Sequence, residues 1–184
     1  MKNKKAIIKG FTIFALLIIV FTSCKKDRNN CDKIDSFLPM QVGNYWGTAN
    51  KQNSYTEIQD SVLINNKLYY KFYSLVGGDG ISISYLRIDE QNRLIESHPN
   101  STNKIYVRAD FNADLGDIFY TLSDQTVNDY KVTVTSKTAI EMSFTFEMVY
   151  HPNLKGQTHV VKYIKGRGWA ENFEKIIING KAYK

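Results

Sequence analysis

Residues 140–150, Ile-Glu-Met-Ser-Phe-Thr-Phe-Glu-Met-Val-Tyr, decide the fold class. Ile140, Met142, Phe144, Phe146, Met148 and Tyr150 are apolar, and Glu141, Ser143, Thr145 and Glu147 between them are polar. Alternation with period 2 puts one set on each face of a pleated strand, the apolar face toward a core and the other toward water. A helix at 3.6 residues per turn would scatter the same six apolar side chains around its circumference. Just upstream, Tyr130, Val132 and Val134 alternate with Lys131, Thr133 and Thr135, and Ser136-Lys137-Thr138 joins the two runs as a hairpin.

Outward from there the pattern repeats. Strands are expected over 56–64 and 67–75, joined by Asn65-Asn66, a pair that tolerates the positive φ of a tight turn. Gly77-Gly78-Asp79-Gly80 leads into a strand over 81–89, and Glu90-Gln91-Asn92 turns it into another over 93–97. Further strands are expected over 104–109, 117–122 and 158–165, the last broken by Gly166-Arg167-Gly168-Trp169. The final hairpin, 173–178 and 181–183, turns on Asn179-Gly180, the strongest short hairpin signal. No amphipathic stretch of ten or more residues reads as a helix. The expectation is all-β: a single antiparallel meander, sandwich or half-open barrel over residues 36–184. Twelve Tyr and 10 Phe suit half-buried pleated surfaces.

The amino terminus reads differently. Lys2, Lys4, Lys5 and Lys9 precede an uncharged apolar run, residues 11–23, which ends Phe21-Thr22-Ser23-Cys24. A cationic segment, a short apolar segment and small residues form an export signal. Thirteen uncharged residues fall short of the ~20 that a membrane-crossing helix needs. Residues 1–23 are therefore expected to be a cleaved signal, and 24–35, polar and aperiodic, a flexible tether. Phe21-Thr22-Ser23-Cys24 resembles the bacterial lipobox, with Phe21 where Leu is usual. The resemblance implies a diacylglycerol on the Cys24 thiol, cleavage before Cys24 and acylation of the new amino terminus. One acyl chain holds a protein weakly, two or three durably. Cys31 would then lack a partner in its own chain.

Charge excludes one class of partner. Four of the 24 basic residues lie in 1–23, so the remainder carries 20 against 18 acidic residues, a net charge of +2. Only Lys25, Lys26 and Arg28 cluster, beside the anchor, where they can meet anionic head groups. No basic face for nucleic acid is expected. The 161 residues that follow the signal suffice for one domain with its own core.

Three segments carry a family likeness: Phe37-Leu38-Pro39-Met40-Gln41-Val42-Gly43-Asn44-Tyr45-Trp46, the Leu115-Gly116-Asp117-Ile118-Phe119 run, and Tyr163-Ile164-Lys165-Gly166-Arg167-Gly168-Trp169. Together they resemble an uncharacterised group of Bacteroidetes-type lipoproteins, which open with Pro-Leu-x-x-Gly-Asn-x-Trp and close with Tyr-x-x-Gly-x-Gly. Met40 stands where Leu is usual, and Trp169 follows the last glycine. The resemblance implies an exported β-rich domain and brings no activity. The first segment also echoes residues 111–119: each sets Gly-Asn/Asp-x-aromatic before a strand, which reads as similar local turn chemistry or as an old duplication of two β halves.

Candidate chemistry is sparse. Asp110, Asn112 and Asp114 have the spacing that opens a calcium loop, but Leu115 replaces the glycine at position six and Thr121 the glutamate at position twelve, so a polar turn is expected. His98, His151 and His159 share no metal-pair spacing and read as surface residues, although His151 and His159 could approach one another. Glu141 and Glu147 lie ~20 Å apart on one strand face, too far to cooperate as a carboxylate pair. No Gly-x-Ser-x-Gly, phosphate-binding loop or dinucleotide fingerprint occurs, and the glycine clusters read as turns. Trp46 and Trp169 are expected in the core. No catalytic residues, metal ligands or cofactor are assigned.

Three classes of function follow. The preferred one is a non-enzymatic binding or structural lipoprotein of the cell envelope. The second is a carrier holding an apolar ligand on a concave sheet face lined by the 140–150 side chains. The third is a hydrolase with a site assembled across strands. Lys25 after the anchor cysteine, in place of the Asp that retains lipoproteins in the inner membrane of proteobacteria, suggests the outer membrane. Its periplasmic and surface faces stay open as alternatives, because the acidic surface-export run known in Bacteroidetes is missing.

Overall fold

The structure is a computed structural model that describes residues 35–48, 54–170 and 173–183, all within the unit Ile34–Lys184. The signal segment, Cys24, Cys31 and most of the tether lie outside the described residues. Among the described residues there are thirteen strands and no helix: β1 Tyr45–Thr48, β2 Tyr55–Ile64, β3 Lys67–Val76, β4 Gly80–Ile88, β5 Arg93–Ser97, β6 Tyr106–Asp110, β7 Ile118–Tyr120, β8 Tyr130–Lys137, β9 Glu141–Met148, β10 Thr158–Ile164, β11 Gly168–Trp169, β12 Phe173–Ile178 and β13 Lys181–Tyr183.

The strands form two antiparallel sheets. An eight-stranded sheet runs β13-β12-β1-β2-β3-β4-β5-β6, and a five-stranded one runs β11-β10-β9-β8-β7. Neither closes into a barrel, so the all-β expectation resolves as a two-sheet sandwich built from consecutive hairpins. The chain meanders through β1–β6, enters the second sheet at β7 and returns at β12 to pair with β1. Asn65 and Asn66 turn the β2–β3 hairpin with φ of 48° and 59°, and Asn179-Gly180 turn the last one at 51° and 75°. These left-handed pairs match the right-handed twist of the strands that they join.

The shared core takes Trp46, Ile58, Phe72, Leu86 and Leu94 from the large sheet and Val132, Val134, Met142, Phe144, Phe146 and Tyr163 from the small one. Burying each such side chain stabilises by roughly 1.5–3 kcal/mol. The 140–150 alternation holds through the middle of β9, where Met142, Phe144 and Phe146 point inward. Its ends do not: Ile140 and Tyr150 fall beyond the strand and are exposed. A second, smaller cluster of Ile64, Tyr69 and Ile95 lies apart from this core, and Asn65 Nδ2 donates to the Thr102 carbonyl nearby, at 3.1 Å.

The echo between 38–46 and 111–119 extends into the hydrogen-bond pattern. Gly43 and Gly116 both have φ of +90°, a region that favours glycine. Gly43 N–H donates to Ile58 O at 2.8 Å, and Gly116 N–H to Val134 O at 2.9 Å. In return, Ile58 N–H donates to Asn44 O and Val134 N–H to Asp117 O. Ile58 pairs with Phe72 and Val134 with Phe144, and in each strand a bulge follows immediately. Strands β1–β4 and β7–β10 therefore follow one plan: glycine turn, short strand, bulged long strand, hairpin, and a fourth strand paired to the hairpin.

The first and last likeness segments meet in one packing site. Trp46 Nε1 donates to Arg167 O at 2.6 Å, Gly166 N–H donates to Ser36 O, and the Trp46 and Trp169 rings meet edge-on at 5.1 Å. Phe37 stacks on Phe111 at 5.0 Å. Asn44 is buried, with its amide donating to Pro39 O and accepting from Asn179 N–H. Residues distant in sequence are spent here on joining the beginning and end of the domain.

Candidate ligand-binding cleft

The large sheet changes character along its inner face. Along β2 and its approach, Ile58 gives way to Thr56 and Ser54. On β3, Phe72 gives way to Ser74; on β4, Leu86 to Ser84 and Ser82; on β5, Leu94 to Glu96. Each pair shares one face because successive side chains alternate sides. The apolar members pack in the core, while the polar members cannot be buried there without partners. At this end the sheets enclose a cleft instead of a filled interior.

A bulge adds the fifth strand. Leu94 pairs with Ala109 and Ile95 with Val107, so Arg108 is the extra residue of β6. Without it, alternation from Ala109 would put Arg108 on the outer side and Val107 on the inner one. With it, Val107 packs in the outer cluster, and Arg108 turns with Ala109 toward the cleft. Arg108 Nε and Nη2 each lie 2.6 Å from Glu96 Oε2, and the guanidinium stands 5.0 Å over the Tyr106 ring. These are charge-assisted bonds, short and directional.

The small sheet supplies the opposite wall. His159 stacks on Phe146 with centroids 4.9 Å apart and 13° between planes, and meets the edge of Tyr130 at 5.9 Å. Burial, and secondarily the Arg108 charge, lowers the His159 pKa below the ordinary 6.5 and favours a neutral imidazole. The cleft holds about 340 Å³ between Ser84, Leu94, Glu96 and Arg108 on one side and Tyr130, Phe146, His159 and Tyr163 on the other, with Trp169 beside them. An adjoining space of about 270 Å³, over Thr56, Phe72, Ser74 and Phe173, shares Ser84 and Trp169 with it. Both fall near the lower end of the range for small-ligand sites.

No family model, no curated protein and no solved structure matches this chain. The site must be read from its own atoms.

The residues singled out from sequence distribute as follows. Cys24, the expected lipid attachment point, lies outside the described residues. The Asp110–Asp114 loop is filled by a side chain: Lys137 Nζ donates to Ala113 O at 2.7 Å, to Asp114 Oδ1 at 2.9 Å and to Asn112 O at 3.3 Å. A tethered ammonium thus takes Asp114 and two loop carbonyls, while Asp110 Oδ1 accepts Asn112 N–H and the Asn112 amide bonds Gln91 O and Asn92. No three His, Cys, Asp or Glu side chains gather as metal ligands among the described residues. His98 and His151 use Nδ1 to accept backbone N–H groups of their own turns, and His159 alone reaches the cleft. Glu141 pairs with Lys162 at 2.6 Å and Glu147 with Lys131 at 3.1 Å, so both acids serve cross-strand ion pairs. Trp46 is fully buried as expected. Trp169 departs from the expectation: it is only partly buried and lines both spaces. Ser84, Glu96 and Arg108 went unnoticed in the sequence, and Tyr130 reads there only as an inward-facing strand residue. The signal for Ser84 and Glu96 is a hydroxyl or charge continuing the inward phase of an apolar stripe.

Proposed function

We propose that this chain is a lipid-anchored protein of the cell envelope whose sandwich is a non-enzymatic binding module, with the splayed end of the sandwich as its binding site. The export signal with Cys24 supports the anchoring, and Lys25 in place of an Asp after the anchor cysteine supports an outer-membrane location. The observation that carries the binding role is the cleft between Ser84, Glu96 and Arg108 on one sheet and Phe146 and His159 on the other, open at the end where the core stops.

The same geometry lends less support to catalysis. Glu96 is held by Arg108, and the His159 ring packs against Phe146 and Tyr130. General acid–base or nucleophilic catalysis asks for an acid, base or hydroxyl within hydrogen-bond reach of its partner. An apolar carrier would draw on the 140–150 side chains, yet Met142 and Phe144 are consumed in the filled core.

The test is intact-mass analysis of the protein extracted from membranes, under denaturing and then native conditions. Acyl mass on the chain, lost together with membrane association in Cys24→Ser, is the expected result for the anchor. A bound species lost in Ser84→Trp, a substitution that fills the cleft, is the expected result for the site. An unmodified Cys24 sulfur overturns the first, and a bound species indifferent to Ser84→Trp overturns the second.

A further inference from the structure

We infer that the cleft takes a neutral, polyhydroxylated ligand, a carbohydrate, held between the hydroxyl-bearing face of the large sheet and the aromatic face of the small one. The inference rests on the cleft being a binding site and names what binds there.

Charge comes first. Among the described residues, Arg108 is the only cation lining the cleft, and Glu96, 2.6 Å away, offsets it. His159 is held toward its neutral form by burial beside Phe146. A phosphate, nucleotide or fatty-acid carboxylate would find no uncommitted positive charge, although recognition of such groups relies on one. Neutral ligands suffer no such deficit.

Shape and polarity come second. On the large sheet, Thr56 pairs with Ser74 and Ser74 with Ser82, and the Thr56 and Ser74 hydroxyls lie 2.8 Å apart. Ser84 continues this polar surface into the deeper space. A hydroxyl both donates and accepts, as a sugar hydroxyl does, so a row of them satisfies a polyol without a fixed polarity. Among the described residues, no protein group hydrogen-bonds the hydroxyls of Ser84 or Tyr130, which leaves both for a ligand. The planar Arg108–Glu96 pair adds further donors and a second carboxylate oxygen. Opposite stand the rings of Trp169 and Tyr130, with His159 stacked over Phe146, apolar faces on which the C–H side of a pyranose can lie while its rim of hydroxyls meets the serines. A purely apolar ligand would cover the Ser84 hydroxyl without a partner, at a cost.

The experiment uses the full purified chain in a detergent without a sugar head group. It is titrated calorimetrically with neutral oligosaccharides of glucose, xylose, mannose and N-acetylglucosamine, and in parallel with oleate, inorganic phosphate and a mixed tripeptide library. At least one neutral oligosaccharide is expected to bind, with affinity reduced about tenfold or more by Trp169→Ala, the scale of loss when a central aromatic contact is removed. Trp169 also touches Trp46 and Phe72, so Ser84→Val, which deletes one hydroxyl from an otherwise unaltered strand, provides a second readout, with a smaller but measurable loss. Binding of oleate, phosphate or peptide that Ser84→Val or Trp169→Ala weakens, without any oligosaccharide binding, overturns the carbohydrate assignment and leaves the binding module standing. Absence of binding by every probe overturns both, as does oligosaccharide binding that neither variant alters.

Discussion

Gly168→Ala tests whether the convergence of distant segments holds the sandwich together. Gly168 has φ of +90°, and a Cβ there would stand 2.9 Å from Trp46 Nε1, 3.0 Å from Leu38 Cδ1 and 3.1 Å from Trp46 Cε2. Trp46 cannot retreat freely, because its indole N–H is bonded to Arg167 O and its ring packs against Phe72 and Trp169. The left-handed backbone costs an alanine about 1–2 kcal/mol. Overpacking a fixed core neighbour adds about 1–3 kcal/mol. The expected loss is therefore about 2–5 kcal/mol, read as a lower urea midpoint at unchanged slope. Gly180→Ala is the control: its φ is +75°, with nothing within 4 Å of the added Cβ, so only the backbone contribution remains. In a Trp46→Phe background, Gly168→Ala should lose its packing component, a coupling of about 1 kcal/mol or more. Equal costs for the two glycine substitutions, or no coupling to residue 46, would refute the argument that Gly168 exists to admit the indole.

Asp129 is buried, and its carboxylate accepts N–H bonds from Leu122, Asp124 and Gln125 at 2.8–3.0 Å. Asp129→Ala is expected to cost about 3 kcal/mol or more and to raise amide exchange at those three residues, because buried donors are left unmade; unchanged exchange would contradict this. Lys137→Met removes three bonds from the 112–114 loop and is expected to cost about 1 kcal/mol by urea unfolding. Millimolar calcium should leave the Tm of the unsubstituted chain where it is, since the ammonium already holds the loop oxygens, and a rise in Tm would show that it does not. His159 titrates below 6.5 in the fold, so the unfolded chain binds the extra proton first as pH falls. Stability should therefore be full above 6.5 and decline as pH drops from there to the folded value. His159→Phe should flatten that window, and a slope unaltered by the substitution would place its origin elsewhere.

Strand existence was legible because one face of each hairpin is wet and the other dry, so period 2 survives in β2, β3, β8 and β9. Strand edges were less so: 104–109 and 117–122 shorten to Tyr106–Asp110 and Ile118–Tyr120, where turns claim the flanks. Tyr45–Thr48 and Gly168–Trp169 are strands too short to show a period, and they exist because Trp46 and Trp169 dock against each other across the sandwich. The choice between barrel and sandwich depends on which strands are left unpaired at the sheet edges, and that depends on pairings over long sequence separation which no local pattern encodes. Arg108 was invisible for a sharper reason. Reading Ala109 inward assigns Arg108 outward by alternation, and only the bulge reverses the assignment.

The repeated plan explains where the cleft lies. Aligning Ile58 with Val134 and Phe72 with Phe144 sets Thr56 against Val132 and Ser74 against Phe146; on the outer strands it sets Ser84 against Val161, Ser82 against His159 and Leu86 against Tyr163. Near the bulge the two copies agree: Ile58, Val134, Phe72 and Phe144 are all within 1% of full burial. Two residues further along each strand they diverge, the first copy toward hydroxyls and the second toward rings. A face of serines cannot interdigitate with a face of aromatics without burying unpaired oxygens, so the sheets pack where the copies match and separate where they differ. A cleft with one hydroxylated wall and one aromatic wall is what such divergence leaves. Replacing Ser74 and Ser84 together with the residues of the other copy, Phe and Val, should therefore extend the core into the cleft and raise the urea midpoint. A drop in stability would mean that the walls are held apart by something other than their chemistry.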